Sequence, residues 1–229
     1  MSFDQQIAAG AGSIVKFNDK VKGGDTTQNA ASKIEVKNFV HPAHQNFNMV
    51  FNIMLGIKMS VDATMDLPMF TPTDKDYKIR CEFGVAPYKT ENSDLVKACS
   101  FFDYAPKIFA SIRKFSGISK EQYLESLGPE KILGYIFKSN FETLSELCSS
   151  GKSGSFFYYS YDGRFMLKTI PRHEFKKLKE ILKNYHEYLT QKNTDSMICR
   201  VFGLHKVIFY RKRGKMSQKI YFCVMNNVF

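Results

Sequence analysis

Tryptophan is absent from this 229-residue chain, and proline and histidine are sparse, at seven and five. No hydrophobic run approaches the roughly 20 residues that a membrane-spanning helix needs. Residues 49–57 come nearest and are interrupted by Asn52. The opening MSFDQQ has neither a basic start nor an apolar core, so a cytoplasmic address is expected rather than a secretory one. Cys-x-x-Cys pairs are missing too. Cys81, Cys99, Cys148, Cys199 and Cys223 are scattered and mostly flanked by apolar residues. An odd set of dispersed thiols argues against a disulfide framework or a zinc ribbon, and predicts reduced core cysteines. The histidines are equally dispersed, which argues against a metal centre, and no internal repeat is visible.

What is present supports a folded core. The chain is 44% hydrophobic and 14% aromatic, with 21 Phe and 12 Tyr. Its net charge of +11 is concentrated: residues 162–219 hold 15 Lys/Arg against 5 Asp/Glu. A basic segment of this kind asks for an anionic partner, whether phosphates, acidic lipid or nucleic acid. Nucleic acid is the least favoured, because no recognised motif is visible and the aromatics alternate as in a sheet core.

Residues 1–33 are rich in Gly, Asn, Asp, Ser, Thr and Lys and lack periodicity. The reading is a flexible tail over 1–37 and one folded domain over 38–229. Phe47, Val50, Phe51, Met54, Leu55 and Met59 recur at helical spacing and predict a helix near 45–61, with Gly56 as a weakness in it. A loop is expected over 62–76 and short strands near 77–85. Two helices are then predicted, 104–115 with Pro106 in its first turn, and 119–127 capped by Ser119 and stopped by Gly128-Pro129. Residues 130–150 give no clear signal.

The informative stretch is 151–170. Gly151, Ser153, Gly154 and Ser155 form a small-residue loop ahead of two aromatic and β-branched runs separated by Asp162-Gly163. That pattern predicts a hairpin with a type I′ turn, which needs positive φ at both centres. The register would then pair Tyr161 with Arg164, Tyr159 with Met166, and Phe157 with Lys168, placing Phe157, Tyr159, Met166 and Lys168 on one face. Small residues let backbone N–H groups approach a polyphosphate, and a lysine on the adjacent strand neutralises its oxygens. Met166 would contact the base. A plain flexible hairpin entry remains the alternative.

From 173 to 190, Phe175, Leu178, Ile181, Leu182, Tyr185, Tyr188 and Leu189 fall on one helical stripe that also includes Glu174. Glu180, Glu187, Lys176, Lys179 and Lys183 point away from it. Glu174 is placed to pair with Lys168; its other role would be to offset the helix dipole. Two strands are predicted over 201–210 and 219–225, joined by a basic turn and ending in Asn226-Asn227. The fold class is therefore α+β, a mainly antiparallel sheet with helices packed on one face.

These residues resemble the phosphatidylinositol phosphate kinases. The matching stretches are GKSGSFFYYSYDGRFMLKTI, the helix pattern ExxxLxxILxxY, ICRVFGLHKV and YFCVMNNVF, with DYAPKIFASIRKFSGISKEQYLESL and FNIMLGIKMSV upstream. The resemblance implies an atypical kinase fold, ATP and Mg2+ as cofactors, and a phosphoinositide headgroup as acceptor. It also implies a flat basic surface on the cytosolic face of an anionic membrane. Carried over by position, Gly151, Ser153, Gly154, Ser155, Phe157, Met166, Lys168 and Glu174 would bind nucleotide. Val224, Met225, Asn226 and Asn227 would form the adenine-edge connection. Arg211, Lys212, Arg213 and Lys215 would meet the lipid surface.

The family's Asp-Leu-Lys-Gly-Ser and Ile-Ile-Asp type segments do not occur. The expectation is thus an N-terminal lobe whose C-terminal, metal-binding lobe is missing, inactive in isolation. A non-catalytic membrane-binding or dimerising half-kinase is the competing reading, and a homodimer is among the partners considered.

Overall fold

The computed structural model describes residues 38–39, 46–64, 70–89, 94–130, 144–148, 156–192, 196–210 and 217–228. All of these belong to the compact unit Glu35–Phe229. The tail expected over 1–37, the glycine loop 151–155 and the basic turn 211–216 lie outside the described residues.

Among the described residues, eight strands form one sheet in the order β1-β6-β7-β8-β10-β9-β5-β2. They are β1 (Asn38–Phe39), β2 (Arg80–Val85), β5 (Cys99–Tyr104), β6 (Leu144–Cys148), β7 (Phe156–Ser160), β8 (Phe165–Thr169), β9 (Val201–Phe209) and β10 (Gln218–Asn226). The short β3 (Tyr88–Lys89) and β4 (Asp94–Val96) pair separately. Every ladder among the described residues is antiparallel, which agrees with the α+β class. Among the described residues the α-helices are α1 (Phe47–Ala63), α2 (Pro106–Phe115), α3 (Lys120–Leu127) and α4 (Arg172–Glu187), the last continuing into a π-helical turn, Tyr188–Lys192.

The helices cover both faces of the sheet, not one. Successive strand residues point to opposite faces, and neighbouring residues of β5 show the consequence. Asp103 accepts a hydrogen bond from Ser60 of α1, whereas the Tyr104 ring packs 4.8 Å from Phe175 of α4. On the α1 face, Gly56 explains itself: a Cβ there would fall within the Phe101 ring, so the helix lies directly on the strand only because the side chain is missing. Asn52, buried in α1, donates to the Lys97 carbonyl. His205 is buried beside Asp103, its Nδ1 3.0 Å from the carboxylate without the alignment of a hydrogen bond.

Several boundaries moved. Tyr104 ends β5 and does not begin a helix; Ala105, at φ 50°, turns the chain into α2 with Pro106 at its start. The CSFFDY strand carries no polar alternation because both of its faces are covered, so period-2 reading does not find it. The α3 cap is as expected and better: Ser119 and Gln122 cap each other reciprocally. Among the described residues, no helix is long and apolar enough to cross a membrane. Of the cysteines, Cys99 and Cys223 are buried, Cys81 and Cys199 half-buried, and all four are free.

Candidate functional site

Strands β7 and β8 pair Phe157 with Lys168, Tyr158 with Leu167 and Tyr159 with Met166, which is the register the sequence indicates. Tyr158, Ser160, Phe165 and Leu167 are buried in the core, leaving Phe157 and Lys168 half-buried on the opposite face. The turn itself differs from type I′. Gly163 alone has positive φ, at 69°, and its N–H donates to the Ser160 carbonyl; Asp162 does not enter the left-handed region.

The Asp162 carboxylate is the hub of this turn. It accepts from Ser160 Oγ at 2.6 Å, from Ser126 Oγ of α3 at 2.5 Å, and from the backbone N–H and Nε of Arg164 at 3.2 and 2.8 Å. Burial alone would raise its pKa, but these donors outweigh burial and hold it down at about 2. Tyr161 and Arg164 belong to this turn, and the ladder ends two pairs earlier, at Tyr159 and Met166.

Lys168 is the penultimate residue of β8. Its Nζ lies 4.0 Å from Glu174 Oε2 and 5.8 Å from the centre of the Phe157 ring. The two side chains are 33% and 44% exposed, so this is a loose, solvent-reached pair worth at most about 1 kcal/mol. It orients Lys168 more than it stabilises the fold. Across the ladder from Lys168 is Cys223, whose thiol burial pushes up to about 12, so it stays neutral beneath the lysine.

Two interactions fix the strand and helix that carry the pair. Thr169 Oγ accepts from the Phe156 N–H at 2.8 Å, closing the open end of the hairpin. On α4, the Phe175 ring sits 4.8 Å from both Tyr104 and Tyr221, which holds Glu174's turn against the sheet. Further along α4, the Tyr185 hydroxyl bridges the Cys199 carbonyl and the Val201 N–H at 3.1 and 2.8 Å. Of the predicted stripe, Phe175, Leu182 and Leu189 are buried, but Ile181 is 40% exposed. Its place is taken by His186, buried between Tyr77 Oη and Ser111 Oγ at 3.0 Å each. Burial lowers the pKa of this imidazole.

The remaining candidates separate. Met166 pairs with Met225 and is buried, so little of it faces outward. Val224 is fully buried on the core face opposite Lys168, which leaves only its backbone for an adenine-edge role. Asn226 Oδ1 accepts from the Arg200 N–H at 2.7 Å, and Asn227 Nδ2 donates to the Gly163 carbonyl at 2.7 Å. Both asparagines thus tie the end of β10 to neighbouring segments, the second to the hairpin turn itself. Gly151, Ser153, Gly154 and Ser155, and Arg211, Lys212, Arg213 and Lys215, lie outside the described residues.

The structural anchors Thr169 and Tyr185 carry no sequence signal beyond their residue types, because their partners lie 13 to 16 residues away in the chain. For Mg2+ the described residues do not fit: no three His, Cys, Asp or Glu side chains gather where a metal ion could be held.

Comparison with known proteins bears on this arrangement. Residues 138–229 match the family model described as Phosphatidylinositol-4-phosphate 5-Kinase. A Phosphatidylinositol 4-phosphate 5-kinase of Plasmodium falciparum is 36% identical over 191 residues, covering 83% of this chain and 11% of that protein. The its3 Phosphatidylinositol 4-phosphate 5-kinase of Schizosaccharomyces pombe is 36% identical over 193 residues, 83% of this chain and 24% of its own length. Phosphatidylinositol 4-phosphate 5-kinase 5 of Arabidopsis thaliana is 32% identical over 197 residues, again 83% of this chain and 23% of the relative. The chain therefore spans between about a tenth and a quarter of these curated relatives. Over the sequence it shares with them, the chain is similar to the phosphatidylinositol 4-phosphate 5-kinases.

Proposed function

We propose that this chain forms the small, nucleotide-facing lobe of a phosphoinositide kinase, with Lys168 as the phosphate-binding cation and Glu174 as the residue that orients it. The observation that carries the reading is the Lys168–Glu174 approach across β8 and α4, at 4.0 Å. A lysine on a sheet face, reached by solvent and steered by a helix carboxylate, is suited to meet phosphate oxygens as a point charge.

ATP is the cofactor proposed for this lobe, and a phosphoinositide the acceptor named by its relatives. The glycine loop 151–155 would cover the phosphates, and the basic turn 211–216 would face an anionic membrane on its cytosolic side. No transfer step is assigned to the described residues, since they do not supply a site for Mg2+. Stabilising the charge of a transferring phosphoryl group needs such a site or an equivalent array of donors.

The test is titration of a fluorescent ATP analogue into the 1–229 chain. Saturable binding that weakens about tenfold or more in Lys168→Met, and less in Glu174→Gln, supports the reading. Equal affinity in wild type and Lys168→Met overturns it. A lipid-kinase assay on the same protein is expected to give only background turnover; ordinary kinase turnover would refute the division of labour.

A further inference from the structure

Beyond α4 from Lys168, the same sheet face carries a second group of cations. Lys206 of β9 and Phe102 of β5 are ladder partners, and the Lys206 Nζ lies 3.8 Å from the centre of the Phe102 ring. Arg80 of β2 reaches the same ring, with Cζ at 5.1 Å. Two residues along β5, Tyr104 has the Lys179 Nζ of α4 at 5.0 Å from its centre. Lys219 of β10, opposite Ile208, adds a fourth charge that Lys206 feels.

These four residues are far apart in the chain, and only the folded sheet assembles them. Arg80, Lys179 and Lys219 are exposed and Lys206 is half-buried. Among the described residues none of the four is within ion-pair distance of a carboxylate. The acidic group that faces them is Glu82, exposed on β2 opposite Phe102.

The arrangement is unlike a solvated lysine face. Stacking on Phe102 and Tyr104 restrains the cationic heads, and it brings like charges together on an apolar floor. The Lys206 pKa is lowered, first by burial and then by Arg80, with Lys219 and Lys179 adding to it and Glu82 opposing. The cluster is therefore under standing repulsion that a bound multivalent anion would relieve.

We infer that Arg80, Lys179, Lys206 and Lys219 form a second anion site, separate from Lys168, that takes a group with clustered phosphate oxygens. Such an anion can accept from several of the four at once, as charge-assisted hydrogen bonds. The ligand could be presented as a soluble phosphate ester or by a lipid headgroup; the chemistry recognised is the same.

Calorimetric titration of inorganic pyrophosphate into the full 1–229 chain at low salt tests this. Lys206→Met keeps the side-chain stem on Phe102 and is expected to weaken binding about tenfold or more, the size of one charge-assisted contact. Adding Arg80→Gln should weaken it further. Lys177→Met, at a residue already paired with Glu180, should change nothing. Circular dichroism melts confirm that each variant is folded. Binding must survive in Lys168→Met, which separates this site from the proposed nucleotide grip.

A vesicle arm, neutral phosphatidylcholine with and without phosphatidic acid, identifies the source. Flotation with the acidic vesicles that is lost in Lys206→Met assigns the phosphate to lipid. Pyrophosphate binding with no flotation assigns it to a soluble ester. Equal pyrophosphate affinity in wild type and Lys206→Met, or binding lost only in Lys168→Met, overturns the proposal.

Discussion

Replacing Asp162 with Asn tests the turn that positions the Lys168 hairpin. The substitution preserves shape but removes the charge that Ser126, Ser160 and Arg164 are arranged to satisfy. In the folded protein the carboxyl pKa falls from an ordinary 3.8 to about 2. Each pKa unit corresponds to about 1.4 kcal/mol, so the ionised carboxylate contributes about 2 kcal/mol. The carboxylate is only 15% exposed, so solvent screens little of this.

The sign follows from the direction of the shift. A carboxylate with a depressed folded pKa stabilises fully above its unfolded value near 3.8, and that contribution drains away as pH falls through about 2. Denaturant melts of wild type and Asp162→Asn at pH 6, 4, 3 and 2 should therefore converge. The variant is expected to be less stable by about 2 kcal/mol at pH 6 and nearly equal at pH 2. The comparison cancels the other acids, such as Asp76, whose pKa is lowered by hydrogen bonds from Thr73. A gap that stays constant with pH would show that the charge of Asp162 is not what holds the turn.

Three further outcomes are expected. Gly56→Ala should destabilise by about 1–3 kcal/mol in thermal melts, because the new methyl falls within the Phe101 ring; a rise in Tm, as helix propensity alone predicts, would refute the packing. Tyr185→Phe should cost about 1–2 kcal/mol and speed hydrogen exchange at the Val201 amide, since that N–H loses its acceptor. Burial lowers the pKa of His186, so stability should fall as pH drops through the unfolded value near 6.5 and continue falling to the folded one. His186→Gln should flatten that part of the pH–stability curve, and an unchanged slope would place the titration elsewhere.

Local chemistry determined a good deal by itself. The Asp162-Gly163 signal and the flanking aromatics placed the hairpin and set its register, because side-chain alternation and turn position allow few alternatives. The Ser119 cap and the Gly128-Pro129 stop bounded α3 within a residue. The stripe on α4 put Glu174 toward the sheet, and Lys168, six residues earlier on β8, was near enough to meet it, at 4.0 Å.

Tertiary structure decided the rest, for reasons of distance in the chain. The CSFFDY strand stayed hidden because helices cover both of its faces, which erases the polar alternation that marks a half-exposed strand. Ser126, on a helix far upstream, donates to the Asp162 carboxylate and ties the hairpin turn to α3, a contact that no local pattern announces. His186 rather than Ile181 is buried because Tyr77 and Ser111 supply partners for both imidazole nitrogens. The excess of positive charge was countable from the sequence alone. That Arg80, outside the basic segment, should meet Lys179, Lys206 and Lys219 over two aromatic rings was not, because only the pairing of β2, β5, β9 and β10 brings them together.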